Sequence, residues 1–293
     1  MNNTSVFPGM LMNEHAAGIV MKELVRRAIF TIRKEMWTFE ATEKASLTDQ
    51  QDFVTTADKA AQQVYTKLLK ECFPTFGIVA EEDDLKVACQ VPGENTFFTV
   101  DPLDGTKAYI RRQSHAIGTM LSLVRNGKVI AAYVGDVMTQ EIYGFRPGSD
   151  SVRRISEFND SERLVIPSRS LSEVVVSLRD EPSAFSERMQ KLAKGTKYGG
   201  IFKHMEVSGG SIGIDAARLW KGEIGALVRM GRPQTPWDYC PMIGISHAMG
   251  FQEVVLTEDG FQVLDPLFIE DTQERKYETI LIHKEHVPAL IGR

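Results

Sequence analysis

Two aspartates three positions apart, Asp101 and Asp104, are the residues of this sequence best placed to do chemistry. They follow an apolar run typical of a buried strand, and Gly105 and Thr106 come directly after them. Pro102 cannot donate a ladder hydrogen bond and glycine lets the backbone approach a ligand, so the strand is predicted to end here in a turn. The sequence thus predicts two carboxylates and a hydroxyl at one strand tip, although aspartate and proline-glycine turns are also common without any ligand.

Further acidic side chains stand beside predicted elements elsewhere in the chain. Glu81 follows a second apolar run, Asp238 follows a Thr-Pro-Trp triplet, and Asp58 lies three residues after Thr55. Asp58 and Asp238 also have an ordinary interpretation, because their surroundings fit the start of a helix. If the five carboxylates converged, any two about 5 Å apart would repel by roughly 3 kcal/mol at an effective dielectric of about 20. A divalent cation would remove that cost, and an all-oxygen set without a nearby His or Cys pair favours Mg²⁺ or Mn²⁺ over zinc.

The residues after Asp104 indicate an anion. If a short helix begins at Asp104, the backbone N–H groups of Gly105 and Thr106 lie at its positive end, where anions bind favourably. Metal ions and an anion site at one strand tip together indicate phosphate chemistry.

Four motifs, in this order along the chain, resemble those of the inositol monophosphatase superfamily of Mg²⁺-dependent, lithium-sensitive phosphatases. They are the segments 52–58 (DFVTTAD), 81–82 (EE), 101–106 (DPLDGT) and 237–238 (WD). The resemblance covers roughly residues 13–283. It implies an α/β (α+β) fold, a layered α-β-α-β-α sandwich with the site between two halves, and a homodimer.

The resemblance also implies which residues hold two or three Mg²⁺ ions, with Mn²⁺ as a possible substitute. The implied ligands are the carboxylates of five acids and one backbone carbonyl: Glu81, Asp101, Leu103, Asp104, Asp238 and Asp58. The first four would surround the first ion, Asp238 would join Asp101 and Asp104 around a second, and Asp58 would hold a weaker third.

The implied catalytic residues are Thr106 with Glu81 or Asp58, which would orient and activate the water that attacks phosphorus in line. The predicted substrate-binding residues are Gly105, Thr106, Arg229 and Asp238. Inhibition by lithium is expected from the family resemblance.

Departures from the family pattern concern the substrate. Arg229 stands where inositol phosphatases carry a Glu before Met-Gly, Lys107 is similar to bisphosphate nucleotidases, and 238–240 is similar to histidinol-phosphate phosphatases. A guanidinium only donates and carries a fixed charge, so Arg229 is predicted to favour an ester with a second anionic group. Lys107 and the pair 111–112 would reinforce that preference if they line the same cleft. The substrate is thus a small phosphate ester, with inositol monophosphate, a 3′(2′),5′-bisphosphate nucleotide and histidinol phosphate left open.

Two other functions are also compatible with acids that follow an apolar strand. A haloacid-dehalogenase-type phosphatase also places acids after an apolar strand, but its two acids are two positions apart, whereas Asp101 and Asp104 are three apart. A non-catalytic metal- or phosphate-binding partner protein could keep the same fold. Turnover of any generic phosphomonoester with Mg²⁺ would exclude the second rival.

The composition is typical of a soluble globular protein and gives no reason to expect nucleic acid or membrane partners. The 293 residues are 43% hydrophobic and 25% charged, with a formal net charge of −5 and basic residues scattered along the chain. No apolar run approaches the ~20 residues of a membrane span. The segment 1–12 lacks the pattern of a secretory signal, and the three cysteines form neither an even framework nor a CxxC pair. A cytoplasmic location is therefore predicted.

The element pattern predicts two halves, residues 1–146 and 152–293. In the first half, helices from Asn13 and from Thr55 pack on a largely antiparallel sheet with a tight hairpin at 126–127. The predicted strands of this half are 76–80, 97–100, 117–124, 129–137 and 142–145. The second half alternates strands with helices, which indicates an α/β layer that contributes Asp238 and substrate contacts. Its predicted elements are strands 174–178, 224–230 and 251–256 and helices 182–194, 211–220 and one from 236.

Overall fold

The computed structural model describes residues 13–46 and 51–291. The α-helices of this part of the chain are α1 (Glu14–Glu35), α2 (Thr56–Cys72), α3 (Thr106–Ile110), α4 (Glu187–Ala193), α5 (Ile212–Trp220) and α6 (Pro236–Ala248). Its strands are β1 (Ala41–Lys44), β2 (Asp52–Thr55), β3 (Gly77–Ala80), β4 (Lys86–Val87), β5 (Thr96–Asp104), β6 (Gly118–Arg125), β7 (Lys128–Asp136), β8 (Ile142–Phe145), β9 (Arg153–Ile155), β10 (Ser161–Arg163), β11 (Val175–Leu178), β12 (His204–Val207), β13 (Ala226–Arg229), β14 (Phe251–Thr257), β15 (Gly260–Leu264) and β16 (Thr279–His283). The prediction that 1–12 carries no secretory signal lies outside the described residues.

Two large sheets and one hairpin make up the β-structure. The first sheet has eight strands in the order β10-β9-β8-β7-β6-β5-β3-β4, antiparallel except for the parallel pair β3 and β5. The second has six strands in the order β12-β11-β13-β16-β14-β15, in which β11 runs parallel to both its neighbours. Among the strands of the described residues, β1 and β2 pair only with each other.

The helices fill three layers around these sheets. Helices α1 and α2 pack their buried faces on the outer face of the first sheet. Helices α5 and α6 lie between the sheets, where Trp220 and Met242 pack with Met120 of the first sheet and Leu281 of the second. Helix α4 covers the far face of the second sheet through Met189. The predicted α/β class and the α-β-α-β-α layers are confirmed.

The predicted helix starts are confirmed in atomic detail. The Asn13 side chain accepts the N–H of Ala16 at 2.9 Å and caps α1. Thr55 and Asp58 form a complete capping box at the start of α2. Such caps satisfy the N–H groups that have no partner within the helix, which is why polar residues at this spacing mark a helix start.

Some predicted boundaries are wrong. Strand β5 does not end at Pro102 but continues to Asp104, because the pairing with β6 shifts between Asp101 and Asp104 and leaves the proline at an irregularity where its missing N–H costs nothing. The single helix predicted over 182–194 is a 3₁₀ turn at Pro182–Ala184 followed by α4.

Strands β9 and β10 extend the first sheet, although they follow the predicted boundary at 146–151. The change from one sheet to the other therefore comes after Arg163, and the division of the chain into two domains stays a prediction. Within the described residues, no helix combines the length and the apolar character needed to cross a bilayer.

Candidate active site

Three carboxylates meet where β5 ends beside the start of α6. Asp101 and Asp104 come from β5, and Asp238 lies in the first turn of α6. One oxygen from each of the three side chains lies within 4.8 Å of the others. The sheet and the middle helix layer therefore bring together acids that are more than 130 residues apart in sequence.

Asp104 is held by the segment that starts α5. Its Oδ1 accepts the N–H of Ile212 at 3.0 Å, and its Oδ2 accepts the N–H of Gly213 at 2.7 Å and the hydroxyl of Ser211. Gly105 has a φ of +93°, and a Cβ there would lie 2.7 Å from the backbone nitrogen of Ser211. Glycine at 105 is therefore needed for this close packing of two backbone segments.

Arg179 also holds the segment that starts α5. It follows β11 and donates hydrogen bonds to the carbonyl oxygens of Gly210 at 2.6 Å and Ser211 at 3.3 Å. Its guanidinium also pairs with Asp215, whose carboxylate accepts the Ser208 hydroxyl at 2.8 Å. Arg179 thus connects the second sheet to the turn that orients Asp104.

Asp58 and Thr106 form the second part of the site. The Thr106 hydroxyl lies 3.2 Å from Asp58 Oδ1 and 3.1 Å from the Leu103 carbonyl oxygen. Asp58 is fully buried and also accepts the N–H of Thr55 at 2.8 Å as part of the capping box. The two interpretations of Asp58 therefore coexist, since one oxygen caps α2 and the other faces Thr106.

Glu81 approaches the cluster from the turn after β3. The Lys44 ammonium lies 2.8 Å from one oxygen of Glu81 and 2.8 Å from one of Glu82. The side-chain amide of buried Gln62 donates to the Glu82 carbonyl at 2.7 Å and accepts the Glu82 N–H at 2.9 Å. These two hydrogen bonds of the Gln62 side chain fix the turn that carries Glu81.

The site fits a hard divalent cation. Asp101 Oδ1 is buried and has no hydrogen-bond partner among the described residues, a situation that is costly for a carboxylate unless a cation lies beside it. The neighbouring groups are carboxylates and the Leu103 carbonyl, so the donors are all oxygens, which suits Mg²⁺. The implied first and second ions agree with this donor set, and the ion number stays a prediction.

Burial raises the pKa of every carboxyl group of the site. The pKa of Glu81 is raised to about 8, that of Asp104 to about 7 and that of Asp58 to about 6, in each case chiefly because burial disfavours the charged form. The pKa of Asp101 is well above its ordinary value, and that of Asp238 is raised, again with burial first. Mutual repulsion among the carboxylates adds to these shifts.

The metal-free protein should lose stability as the pH rises from about 4.5 to about 8. In the unfolded chain these carboxyl groups have a pKa of about 4, whereas in the folded protein the pKa values of Asp58, Asp104 and Glu81 are about 6, 7 and 8. The folded state therefore binds more protons than the unfolded state in this pH window, and stability falls as the pH rises. Saturating Mg²⁺ should remove most of the loss, since it binds the ionised form. Urea unfolding at about pH 5.5 and about pH 8, with EDTA and with Mg²⁺, measures both effects. A metal-free protein that becomes more stable over this range would contradict the prediction.

Arg229 lies near Asp238 and is already paired with an acid. Its guanidinium contacts Glu253, which is fully buried and also accepts the Tyr239 hydroxyl at 3.0 Å. Arg229 still lies close enough for its positive charge to lower the pKa of Asp238. Burial has the larger effect, so the pKa of Asp238 is raised on balance. The predicted selection of anionic esters by Arg229 stays a prediction, and Glu253 neutralises the charge on which it depends.

Sequence reasoning predicted the acids but missed the residues that position them. The structure brings Asp58, Asp101, Asp104, Thr106 and Asp238 together around one strand tip, with Glu81 and the Leu103 carbonyl beside them. The missed contacts are made by Lys44, Gln62, Arg179 and Ser211. The glycine pair before Ser211 was the one available signal, because it indicates a tight turn directly before a helix.

The chain matches a family model over most of its length, and its alignments to curated relatives each span less than two thirds of the relative's own length. A model of the inositol monophosphatase family matches residues 15–288. Inositol monophosphatase 2 of Saccharomyces cerevisiae is 27% identical over 192 residues, which are 64% of this chain and 64% of that protein. The Nus factor SuhB of Xylella fastidiosa is 31% identical over 101 residues, and that of Escherichia coli is 31% identical over 118. These alignments span 34% of this chain and of the Xylella protein, and 40% of this chain and 42% of the E. coli protein.

Solved structures share the fold. The suhB protein of Bartonella henselae has a TM-score of 0.73 at 18% identity and covers 94% of this chain and 96% of its own. A dual-specific IMPase/NADP phosphatase bound with D-inositol-1-phosphate has a TM-score of 0.66 at 19% identity, over 96% of this chain and 97% of its own. An IMPase/NADP phosphatase with Mg²⁺ and phosphate has a TM-score of 0.65 at 19% identity, over 95% of both chains. At these identities the likeness shows the fold alone.

Proposed function

Because this chain belongs to the inositol monophosphatase family, we propose that it is a Mg²⁺-dependent phosphomonoesterase that hydrolyses a small phosphate ester. One observation carries the proposal: Asp101, Asp104 and Asp238 bring one oxygen each within 4.8 Å of the others, and within the part of the chain that the structure describes the buried Asp101 Oδ1 has no hydrogen-bond partner. A solved relative that holds Mg²⁺ and phosphate supports the same chemistry here.

The carboxylates of Asp101, Asp104 and Asp238 would hold Mg²⁺. Glu81 and the Leu103 carbonyl would complete the ligands of the first ion, and Asp58 would lie near a more weakly bound ion. Bound Mg²⁺ would neutralise phosphate oxygens, including the leaving alkoxide, and lower the pKa of an attacking water. The protein's own residues then orient that water. Asp104 keeps one fixed direction because three donors hold it.

Thr106 and Asp58 form the pair best placed to receive the water's proton. The Thr106 oxygen can accept a hydrogen bond from the water while its own proton points to Asp58 Oδ1 at 3.2 Å. Since the pKa of Asp58 is raised to about 6 by burial, most of this carboxyl is ionised at neutral pH and can accept a proton. Glu81, the alternative partner, is paired with Lys44, so the observations favour Asp58.

Phosphate release should require Mg²⁺ and stop when EDTA removes it. The assay uses purified full-length protein with D-inositol-1-phosphate, an adenosine 3′,5′-bisphosphate, histidinol phosphate and glycerol 2-phosphate. Lithium should inhibit, an expectation that comes from the family. Phosphate release that continues in EDTA, or no release from any ester at saturating Mg²⁺, would contradict the proposal.

A second candidate is a non-catalytic metal- or phosphate-binding partner protein. Relatives named Nus factors support it, although the alignments to them cover less than half of each chain. The presence of the Thr106–Asp58 pair beside the metal-binding acids favours the enzyme. Binding of Mg²⁺ and inorganic phosphate without turnover of any phosphomonoester would support the second candidate instead. A homodimer and a cytoplasmic location stay predictions that the family resemblance and the composition suggest.

A further inference from the structure

The loop that joins β13 to α6 is held by a segment from later in the chain. Gln234 in this loop and Gln273 exchange two backbone hydrogen bonds, at 2.8 Å and 2.9 Å, in an antiparallel bridge outside the strands of both sheets. Gly231 also packs closely on this segment, because a Cβ there would lie 2.4 Å from the backbone carbonyl carbon of Lys276. The loop therefore takes its path from its contacts with residues 273–276.

Arg275 ties this contact to α6. Its Nε donates to the side-chain oxygen of Gln234 at 3.2 Å, and its Nη2 donates to the side-chain oxygen of Gln273 at 2.9 Å. Its guanidinium carbon lies 5.8 Å from the centre of the Tyr239 ring, which is the distance of a cation–π contact. One planar group thus contacts both sides of the bridge and the first turn of α6.

The residues that Arg275 contacts lie on either side of Asp238. Gln234 precedes Thr235, whose carbonyl accepts the Tyr239 N–H at 2.9 Å and whose hydroxyl donates to Asp238 Oδ2 at 2.8 Å. Tyr239 is buried and donates its hydroxyl to Glu253 at 3.0 Å. A shift of the loop or of the ring would therefore move the turn that carries Asp238.

The carboxylate cluster joins two layers of the fold. Asp101 and Asp104 lie on β5 in the first sheet, whereas Asp238 comes from α6 in the middle layer. A metal site needs its ligands held to within about 0.5 Å, so the start of α6 must be fixed relative to that sheet. The contacts of Arg275 act on this start.

We propose that Arg275 is a positioning residue of the metal site. It acts through Gln234 and Tyr239, which fix the first turn of α6, and so sets the place of Asp238 among the carboxylates. The inference rests on the proposed Mg²⁺-dependent function.

Arg275→Met should bind Mg²⁺ about ten- to hundredfold more weakly than the native protein in calorimetric titrations without substrate. The Mg²⁺ concentration for half-maximal phosphate release should rise by the same factor, while kcat at saturating Mg²⁺ changes much less. Arg275→Lys should recover only part of the affinity, because an ammonium lacks the planar set of donors. Thermal unfolding of each variant measures whether it is folded.

Variants of Gln234 test the same contact from its other side. Gln234→Met removes the acceptor and should weaken Mg²⁺ binding, whereas Gln234→Glu keeps an acceptor for Arg275 and should not weaken it. The double variant R275M/Q234M should bind Mg²⁺ about as well as the weaker of the two single variants, since both remove one shared contact. Fully additive losses would overturn the inference.

Arg188→Met is the matched control. Arg188 lies on α4, and its guanidinium carbon is likewise near a ring, 5.4 Å from the centre of Phe261. It should leave Mg²⁺ affinity as it is, and an equal loss in both arginine variants would overturn the positioning role.

The titrations keep this inference separate from catalysis. If Arg275→Met weakens Mg²⁺ binding but the native protein hydrolyses no ester, the positioning role is supported and the proposed enzyme function fails. If the native protein hydrolyses an ester and Arg275→Met binds Mg²⁺ as the native protein does, the positioning role is overturned and the enzyme function stands.

Discussion

Asp238→Asn should release phosphate at least about a hundredfold more slowly than the native protein at saturating Mg²⁺, while the metal-free variant is as stable as the native protein or more so. The amide keeps the shape of the side chain. Its oxygen can still accept the hydrogen bond that the Thr235 hydroxyl donates to Asp238 at 2.8 Å in the native protein. It lacks the negative charge that a hard cation requires. It also relieves repulsion with Asp101 and Asp104, which raises the stability of the protein without metal.

Asp104→Asn should lose as much turnover but should also cost stability. The Asp104 carboxylate accepts hydrogen bonds from three donors. An amide in its place would turn an N–H toward at least one of these donors, which leaves that donor without an acceptor. A buried unpaired donor costs about 1–3 kcal/mol of stability. The two variants are therefore expected to lose turnover alike but to differ in stability. Phosphate release and thermal unfolding of the two proteins measure both quantities. Near-normal turnover of Asp238→Asn would refute the assigned metal site.

Arg179→Met should lower kcat/KM by about ten- to hundredfold and raise the Mg²⁺ concentration needed for half-maximal rate. The guanidinium holds the Gly210 and Ser211 carbonyls, and Ser211 in turn holds Asp104. Arg179→Lys should recover only part of the activity, because an ammonium cannot reproduce the planar set of donors. Rates against Mg²⁺ concentration, together with calorimetric Mg²⁺ binding, separate a positioning role from a general loss of folding.

The control for Arg179 is Arg218→Met. Arg218 lies on α5 and makes ion pairs with Glu206 and Glu223, whereas the hydrogen bonds that hold Asp104 and its turn come from other residues of the described chain. It should change stability slightly and leave Mg²⁺ affinity as it is. Equal effects of Arg179→Met and Arg218→Met on Mg²⁺ affinity would show that Arg179 does not position the ligand.

The acids could be predicted because each one sits next to a local signal. Asp101 and Asp104 follow an apolar strand, Asp58 fits a capping box, and Asp238 follows Thr235 and a proline at the first helical position. Local patterns of this kind depend on neighbouring residues alone, so one sequence is enough to recognise them.

The partners of these acids could not be predicted, because they arrive by long-range contacts. Arg179 and Lys44 have no local pattern that points to Asp104 or Glu81. Glu253 lies two strands away from Arg229 in the second sheet, so the pairing that cancels the arginine's charge depends on the strand order. The same strand order places β16 in the middle of that sheet, although its three apolar residues, Ile280, Leu281 and Ile282, were not assigned to any predicted element.

Asp104 is both a proposed metal ligand and the acceptor for the first N–H groups of α5. Its carboxylate therefore has one orientation as soon as the chain has folded. The rotational entropy of this side chain is lost during folding and not again when a cation arrives. A preorganised ligand of this kind binds more tightly than a mobile carboxylate of the same charge, because binding no longer includes the cost of ordering it.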